Sequence, residues 1–176
     1  MFFTNTGRVY SKKVYCLPEA SRTAKGSNIV NTLELEAGEK TTAIISLADF
    51  ENSDEKYLTM VTRKGVIKRS ILSEYEFHRK GGKIAIGLDE GDEIAGVRLT
   101  DGSAQVMVAT RMGQLIRIPE ENIRSMSRSA HGVRAIKLRD DDYVVSMARV
   151  REGATVLTVT DKGNGRRVEL DSDRIQ

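Results

Sequence analysis

Met60-Val61-Thr62-Arg63-Lys64-Gly65-Val66-Ile67-Lys68 reads as two short apolar runs joined by Thr-x-x-Gly, and the chain returns to that pattern three more times. The other copies are Phe2-Phe3-Thr4-Asn5-Thr6-Gly7-Arg8-Val9-Tyr10, Val108-Ala109-Thr110-Arg111-Met112-Gly113-Gln114-Leu115-Ile116 and Thr158-Val159-Thr160-Asp161-Lys162-Gly163-Asn164-Gly165-Arg166. Their glycines are spaced by 58, 48 and 50 residues. With 13 Thr and 15 Gly in 176 residues, chance places about one Thr-x-x-Gly; the sequence holds five, so the recurrence is a repeat. The motif predicts a tight hairpin: a type I turn followed by Gly in the left-handed conformation, making a bulge. The flanking β-branched and aromatic residues suit half-buried strands.

A second motif follows each hairpin. Ser21-Arg22-Thr23-Ala24-Lys25-Gly26 matches Ser127-Arg128-Ser129-Ala130-His131-Gly132, and His78-Arg79-Lys80-Gly81-Gly82 occupies the same place between them. The hairpin glycine precedes this second glycine by 19, 17 and 19 residues. A strand, a turn and a strand are expected next, as in residues 83–88, 89–92 and 93–97, and again in 133–138, 139–142 and 143–147. Leu72-Ser73-Glu74-Tyr75 and Pro119-Glu120-Glu121-Asn122 read as single helical turns. No segment carries helical apolar periodicity over a dozen residues.

Each unit of about 50 residues thus holds about four short strands, the arithmetic of a propeller blade. The expected units are approximately 1–50, 51–100, 101–150 and 151–176, within one all-β, propeller-like domain. A blade of the Trp-Asp type would need Trp, which is absent, and a kelch blade would need a Gly-Gly doublet in every unit, where only Gly81-Gly82 exists. Three to four blades predict an arc or part of a larger disc.

Composition narrows the function classes. Hydrophobic residues make up 39% and charged residues 30%, ordinary globular usage that excludes disorder and collagen. A chain this long can bury about two-thirds of its unfolded surface and needs no disulfide to fold. The one cysteine, Cys16, forms no internal bridge, so a reducing, intracellular setting is expected. The longest charge-free apolar stretch, Thr41 to Ala48, is far too short to span a bilayer, and the start lacks the marks of a secretory leader.

Catalytic constellations are poor. His78 and His131 both lie in basic linkers and do not make a metal site with a single cysteine. Asp140-Asp141-Asp142 and Glu90-Gly91-Asp92-Glu93 read as turn caps rather than cation ligands. Gly81-Gly82-Lys83 runs into a strand, where a phosphate loop would need a helix. Cys16, between Tyr15 and Leu17-Pro18, reads as a small buried residue. No nucleophile, base and orienting group can be assembled, so an enzyme ranks last.

The cations are the informative feature. Net charge is only +3, but basic and acidic blocks alternate: residues 63–83 hold seven basic and two acidic, residues 84–106 one and five. The basic blocks fall on hairpin tips, return strands and Arg/Gly linkers. They comprise Arg8, Lys12, Lys13, Arg22 and Lys25; Arg63, Lys64, Lys68, Arg69, Arg79, Lys80 and Lys83; Arg111, Arg117, Arg124, Arg128 and Arg134; and Lys162, Arg166 and Arg167. Equivalent positions of a repeat array share one edge, so this phase predicts a continuous positive rim able to grip a polyanion by its phosphates, without base readout. Nine aromatics favour a duplex-backbone surface over a stacking platform for single strands. A protein-binding propeller whose basic turns serve solubility is the competing reading.

With repeat and linkers in hand, the sequence closely resembles the C-terminal domain of the bacterial DNA gyrase A subunit. The resemblance runs essentially the whole length. It is carried by residues 2–10, Lys13-Val14-Tyr15, Leu17-Pro18-Glu19-Ala20-Ser21-Arg22, Ala24-Lys25-Gly26, Ile29-Val30-Asn31, Leu88-Asp89-Glu90-Gly91-Asp92-Glu93, Val97-Arg98-Leu99-Thr100-Asp101-Gly102 and Gly132-Val133-Arg134-Ala135-Ile136-Lys137-Leu138. The topoisomerase IV relative, which serves in choosing substrate DNA, shares the fold and many of these letters. The resemblance implies a β-pinwheel of four-stranded blades, six in the family's disc, and a basic perimeter that binds and bends duplex DNA without regard to sequence. It implies a bacterial, cytoplasmic, nucleoid-associated setting, negative supercoiling by the parent type IIA topoisomerase, and the remainder of gyrase A together with gyrase B as partners. ATP and Mg would serve other regions, with no cofactor or metal in this domain. The cleavage tyrosine would lie elsewhere, since none of Tyr10, Tyr15, Tyr57, Tyr75 and Tyr143 has its Arg-Tyr-Thr context. The family's Gln-Arg-Arg-Gly-Gly-Lys-Gly motif is met only as His78-Arg79-Lys80-Gly81-Gly82-Lys83-Ile84. In the family the intact motif lies just upstream of where this chain starts, which implies a partial disc.

Overall fold

The computed structural model describes residues 1–76 and 81–170. Its strands are β1 (Phe2–Thr4), β2 (Arg8–Tyr10), β3 (Thr41–Ile44), β4 (Tyr57–Thr62), β5 (Val66–Ile71), β6 (Lys83–Ile84), β7 (Ile94–Thr100), β8 (Gln105–Thr110), β9 (Leu115–Pro119), β10 (Val133–Arg134), β11 (Val144–Arg149), β12 (Thr155–Val159) and β13 (Gly165–Glu169). Helical structure among the described residues is confined to short 3-10 turns, including Leu72–Tyr75 and Glu120–Asn122 where the sequence placed them.

The four hairpins β1–β2, β4–β5, β8–β9 and β12–β13 close on the repeated quartet. Gly7, Gly65, Gly113 and Gly163 have φ of 79°, 81°, 83° and 80°, and each donates its amide to the quartet threonine's carbonyl at 3.0–3.1 Å. The threonine has a second task. Its Oγ1 accepts the amide of the residue after the glycine, from Arg8 at 3.3 Å, Val66 at 3.2 Å, Gln114 at 3.1 Å and Asn164 at 3.1 Å. An otherwise unpaired turn donor is thereby satisfied.

All four sheets are antiparallel, in the orders β3-β1-β2-β6, β7-β4-β5-β10, β11-β8-β9 and β12-β13. The four-stranded sheets are not built from one repeat each. β6 comes from the second unit and completes the first sheet, with Val9 opposite Lys83 and Arg8 opposite Ile84. β10 comes from the third unit and completes the second, with Ile67 opposite Val133 and Val66 opposite Arg134. The strands expected over residues 83–88 and 133–138 therefore last two residues. The Ala85 and Ile86 amides converge on the single Gly7 carbonyl at 2.7 and 3.3 Å, those of Ala135 and Ile136 on Gly65 at 2.8 and 3.4 Å, and there the ladder stops. Ile86 and Ile136 then turn inward and are buried.

The core lies between sheets. Leu58 and Met60 of β4 pack with Phe3, Val9, Leu72, Tyr75, Ile86, Ile94 and Val97. Val61, on the opposite face of β4, joins Ile67, Val106, Val108, Ile123, Ile136, Val144 and Met147. The second sheet is thus buried on both faces, whereas β12 and β13 are largely exposed.

Buried carboxylates lock the connections. Glu39 accepts from Thr4 Oγ1 at 2.7 Å, Thr6 Oγ1 at 2.8 Å, Tyr10 OH at 2.6 Å and the Glu36 amide at 2.8 Å. Burial alone would push its carboxyl up; the Tyr10, Glu36, Thr4 and Thr6 hydrogen bonds outweigh burial and hold it below its ordinary value. A depressed value stabilises the fold fully above the unfolded carboxyl's ~4.3 and less as pH falls through the folded one. The stability difference between the parent and Glu39→Gln, followed by denaturant midpoint, is expected to shrink as pH falls below about 4.3. A difference constant down to pH 2 would show that Glu39 is not the acid-labile lock.

Candidate nucleic-acid interface

Sheet order sets which cations face outward. β3, β7 and β11 lie at one edge of their sheets and touch one another in succession; β6 and β10 form the opposite, outer edge. Lys83 stands on β6 and the exposed Arg134 on β10. The linker between them is tied down. The Arg128 guanidinium donates to the Ile84 carbonyl, its amide donates to Glu74, and the Gly87 amide donates to Ala130 O at 3.1 Å. His131 Nδ1 lies 3.3 Å from Asp89 Oδ1. Lys83, Arg128 and Arg134 therefore belong to one physically joined outer ledge across two sheets. Arg22 and Lys25 of the first linker, and Lys13 just before it, are exposed, and Lys12 is half-buried. Arg124, Lys162, Arg166 and Arg167 are exposed as well, the last two on β13.

Other candidates are engaged by neighbouring groups of the molecule, Lys68 buried and Lys64 and Arg111 still exposed. Lys68 leaves the interface altogether. It is 0% exposed, and its ammonium donates to the carbonyls of Ala85 at 2.8 Å, Ser127 at 3.2 Å, Ala130 at 3.3 Å and Arg128. Burial, with the nearby Arg128 against it and Glu74 for it, lowers its pKa to about 8. Arg63 and Arg111, two residues before their hairpin glycines, share the Tyr143 ring at 4.0 and 5.9 Å. Their backbones bind Val144 N and Tyr143 O at 2.9 Å, which sets both tips beside the start of β11 and away from the outer ledge. Lys64 donates to Glu90 O at 2.5 Å. The half-buried Arg8 bonds Gly81 O at 2.8 Å and lies 3.4 Å from Glu36. Arg69 sits 4.5 Å above the Tyr57 ring, and Arg117 donates to the Gln105 side chain. Arg79 and Lys80 lie outside the described residues.

The acidic clusters act as turn caps. Asp92 Oδ1 accepts the Lys64 amide at 3.0 Å, and Asp142 Oδ1 accepts the Met112 amide at 3.0 Å, each at the tip of a repeat hairpin. Cys16, expected to be buried, is exposed: it lies in the 3-10 turn Val14–Cys16, none of whose residues is buried. Reading for charge missed the aromatic platforms Tyr57 and Tyr143, which hold three of the arginines; no local sequence pattern marks them.

A family model described as DNA gyrase C-terminal domain, beta-propeller, matches residues 1–48, 56–101, 104–151 and 154–172. The chain belongs to that family. The DNA gyrase A subunit of Haloquadratum walsbyi is 43% identical over 180 residues, covering 100% of the chain and 21% of that protein. The DNA gyrase A subunit of Salmonella typhimurium is 45% identical over 169 residues, covering 96% and 19%. The gyrase-type domain thus spans about a fifth of the length of these curated relatives. Among solved structures, the C-terminal domain of DNA topoisomerase IV superposes with a TM-score of 0.86 at 26% identity, covering 99% of this chain and 55% of that one. A DNA gyrase A C-terminal domain superposes at 0.77 with 25% identity, covering 94% and 52%.

Proposed function

We infer that this gyrase-type domain binds duplex DNA along its outer ledge and bends it, without reading sequence, as part of a gyrase A polypeptide that works with gyrase B in the bacterial cytoplasm to introduce negative supercoils. The observation that carries this reading is the joined outer edge. Lys83, Arg128 and Arg134 follow one another along two sheets, and the exposed Arg22 and Lys25 hold the repeat-equivalent place in the first linker. Arginine on rigid backbone suits bidentate phosphate contact. Bending 20–30 bp by 40–90° costs on the order of 1–6 kcal/mol, so several distributed contacts are required. The 43–45% identity to gyrase A chains favours gyrase over topoisomerase IV as the parent.

The test is a salt titration. Each phosphate neutralised contributes about 0.9 to the slope of log K against log salt. Replacing Arg22, Lys25 and Arg134 together by Glu is expected to flatten that slope by about 2.7 and to weaken all duplex sequences alike. These side chains are exposed, so the fold is expected to survive, which circular dichroism checks. An unchanged slope would remove the ledge from DNA binding and leave the protein-binding scaffold as the reading. A loss confined to one sequence would mean base readout. Ligating a nicked circle with the domain bound then reports bending handedness as a linking-number shift.

A further inference from the structure

The repeated linker carries a different residue in each unit at the place before its closing glycine. Lys25 precedes Gly26, Gly81 precedes Gly82 and His131 precedes Gly132. One phase of the repeat thus holds a permanent cation, no charge and a titratable one. Histidine changes charge between about pH 5 and 8, so the surroundings of His131 decide what that change does.

His131 belongs to the outer ledge. It lies between Arg128, which ties the linker to Ile84 O beside Lys83, and Arg134 on β10. Its ring is seated on Gly87: a Cβ there would stand 2.7 Å from His131 Cδ2 and 2.8 Å from Nε2, so a side chain at that place would displace the imidazole. Nδ1 lies 3.3 Å from Asp89 Oδ1. Among the described residues, the charged groups about the ring come from several elements. Asp89 faces it from the turn after Gly87, and Lys64 binds the Glu90 carbonyl next along that turn. From β5 the Lys68 ammonium reaches the adjoining Ala130 carbonyl at 3.3 Å. Glu74, of the turn Leu72–Tyr75, accepts the Arg128 amide. The paired side chains of His131 and Asp89 are 63% and 72% exposed. An ion pair this open contributes little to stability, so another anion can take the ring's proton donor at small cost.

We propose that His131 is a proton-dependent contact of the ledge with the duplex backbone: its imidazolium, seated on Gly87 beside Asp89, neutralises a phosphate that the neutral ring leaves charged. This rests on the ledge being the duplex-binding surface. Phosphate oxygens beside the ring favour its charged form, so binding draws a proton from the buffer and affinity rises as pH falls. The third unit's linker thereby holds DNA more tightly in acid, whereas Lys25 gives the first linker a cation at every physiological pH.

The experiment is duplex binding between about pH 7.5 and 5.5, a window that spans histidine titration and lies below the Lys68 value of about 8. His78, the other histidine, is replaced by Gln throughout. Across the window the slope of log K against log salt is expected to steepen by up to about 0.9, one further phosphate neutralised. His131→Gln is expected to keep a single slope, and His131→Lys to keep the steeper slope at both ends. Calorimetry of binding in buffers of different ionisation enthalpy is expected to show proton uptake that His131→Gln abolishes. A ring with a merely structural role would alter the melting curve and leave the proton count unchanged. Duplex binding that weakens when Arg22, Lys25 and Arg134 are replaced, but whose slope is constant across the window, overturns this inference and leaves the ledge standing. So does a pH dependence that survives His131→Gln. Absence of duplex binding at every pH overturns the ledge reading and this one with it.

Discussion

Gly7→Val is expected to cost about 3 kcal/mol of stability and Gly113→Val about half of that, although the two glycines sit at the same place in the same kind of hairpin. Their φ values, 79° and 83°, impose the same left-handed strain of about 1–2 kcal/mol on a side chain. The surroundings differ. A Cβ on Gly7 would press on the Ile86 carbonyl oxygen at 2.8 Å and on Leu88 at 3.0 Å, the segment delivered by the second unit, whereas one on Gly113 meets nothing. A backbone oxygen yields less readily than a flexible side-chain end, so the first sheet has to loosen its fourth strand to admit valine. Urea denaturation of dilute protein measures both variants against the parent. Equal losses would mean that backbone strain is the whole effect and that strand exchange contributes nothing to holding the sheets together.

The hairpins were legible because a tight turn is a local event, and the residues that make it are neighbours in sequence. Thr62 and Gly65 announce the turn, although the hydroxyl's bond to the Val66 amide follows only once the backbone is placed. Strand exchange was not legible. A 50-residue period fixes how many strands each unit has, and says nothing of which sheet receives them; that choice is made by contacts such as Ile136 against Gly65, 71 residues apart in sequence. The cationic reading fails at Lys68 for a related reason. Lysine is seldom buried, so in the sequence Lys68 reads as a surface residue. Its counterparts three residues past the hairpin glycine are Tyr10, Ile116 and Arg166, and apolar bodies at two of those three places are the available sign of an inward position. Arg63, Arg69 and Arg111 lie over tyrosines up to 80 residues distant in sequence, which no window of neighbouring residues contains.

Lys68 stitches the second unit's return strand to the linker of the third, and its removal is expected to be felt at both. Lys68→Ala is expected to destabilise the domain by about 3 kcal/mol and Lys68→Met by about 1.5 kcal/mol. Methionine fills the volume, and three of the four carbonyls keep another donor: Tyr75 OH on Ala85 O at 3.0 Å, the Ala130 amide on Ser127 O at 3.0 Å and the Gly87 amide on Ala130 O at 3.1 Å. Alanine adds a cavity to the lost charge-assisted bonds. The ammonium also carries a pH signature. Burial lowers its pKa from 10.5 to about 8 in the folded chain, so between those values the unfolded chain binds more protons. Stability contributed by this position therefore rises with pH from about 8 to 10.5 and is flat on either side. Subtracting the Lys68→Met profile from that of the parent isolates this contribution from other titrating groups. A difference that falls with pH over the window would mean that the four carbonyls stabilise the cation by more than desolvation penalises it. The linker bearing Arg128 would then be held by a charge the fold favours.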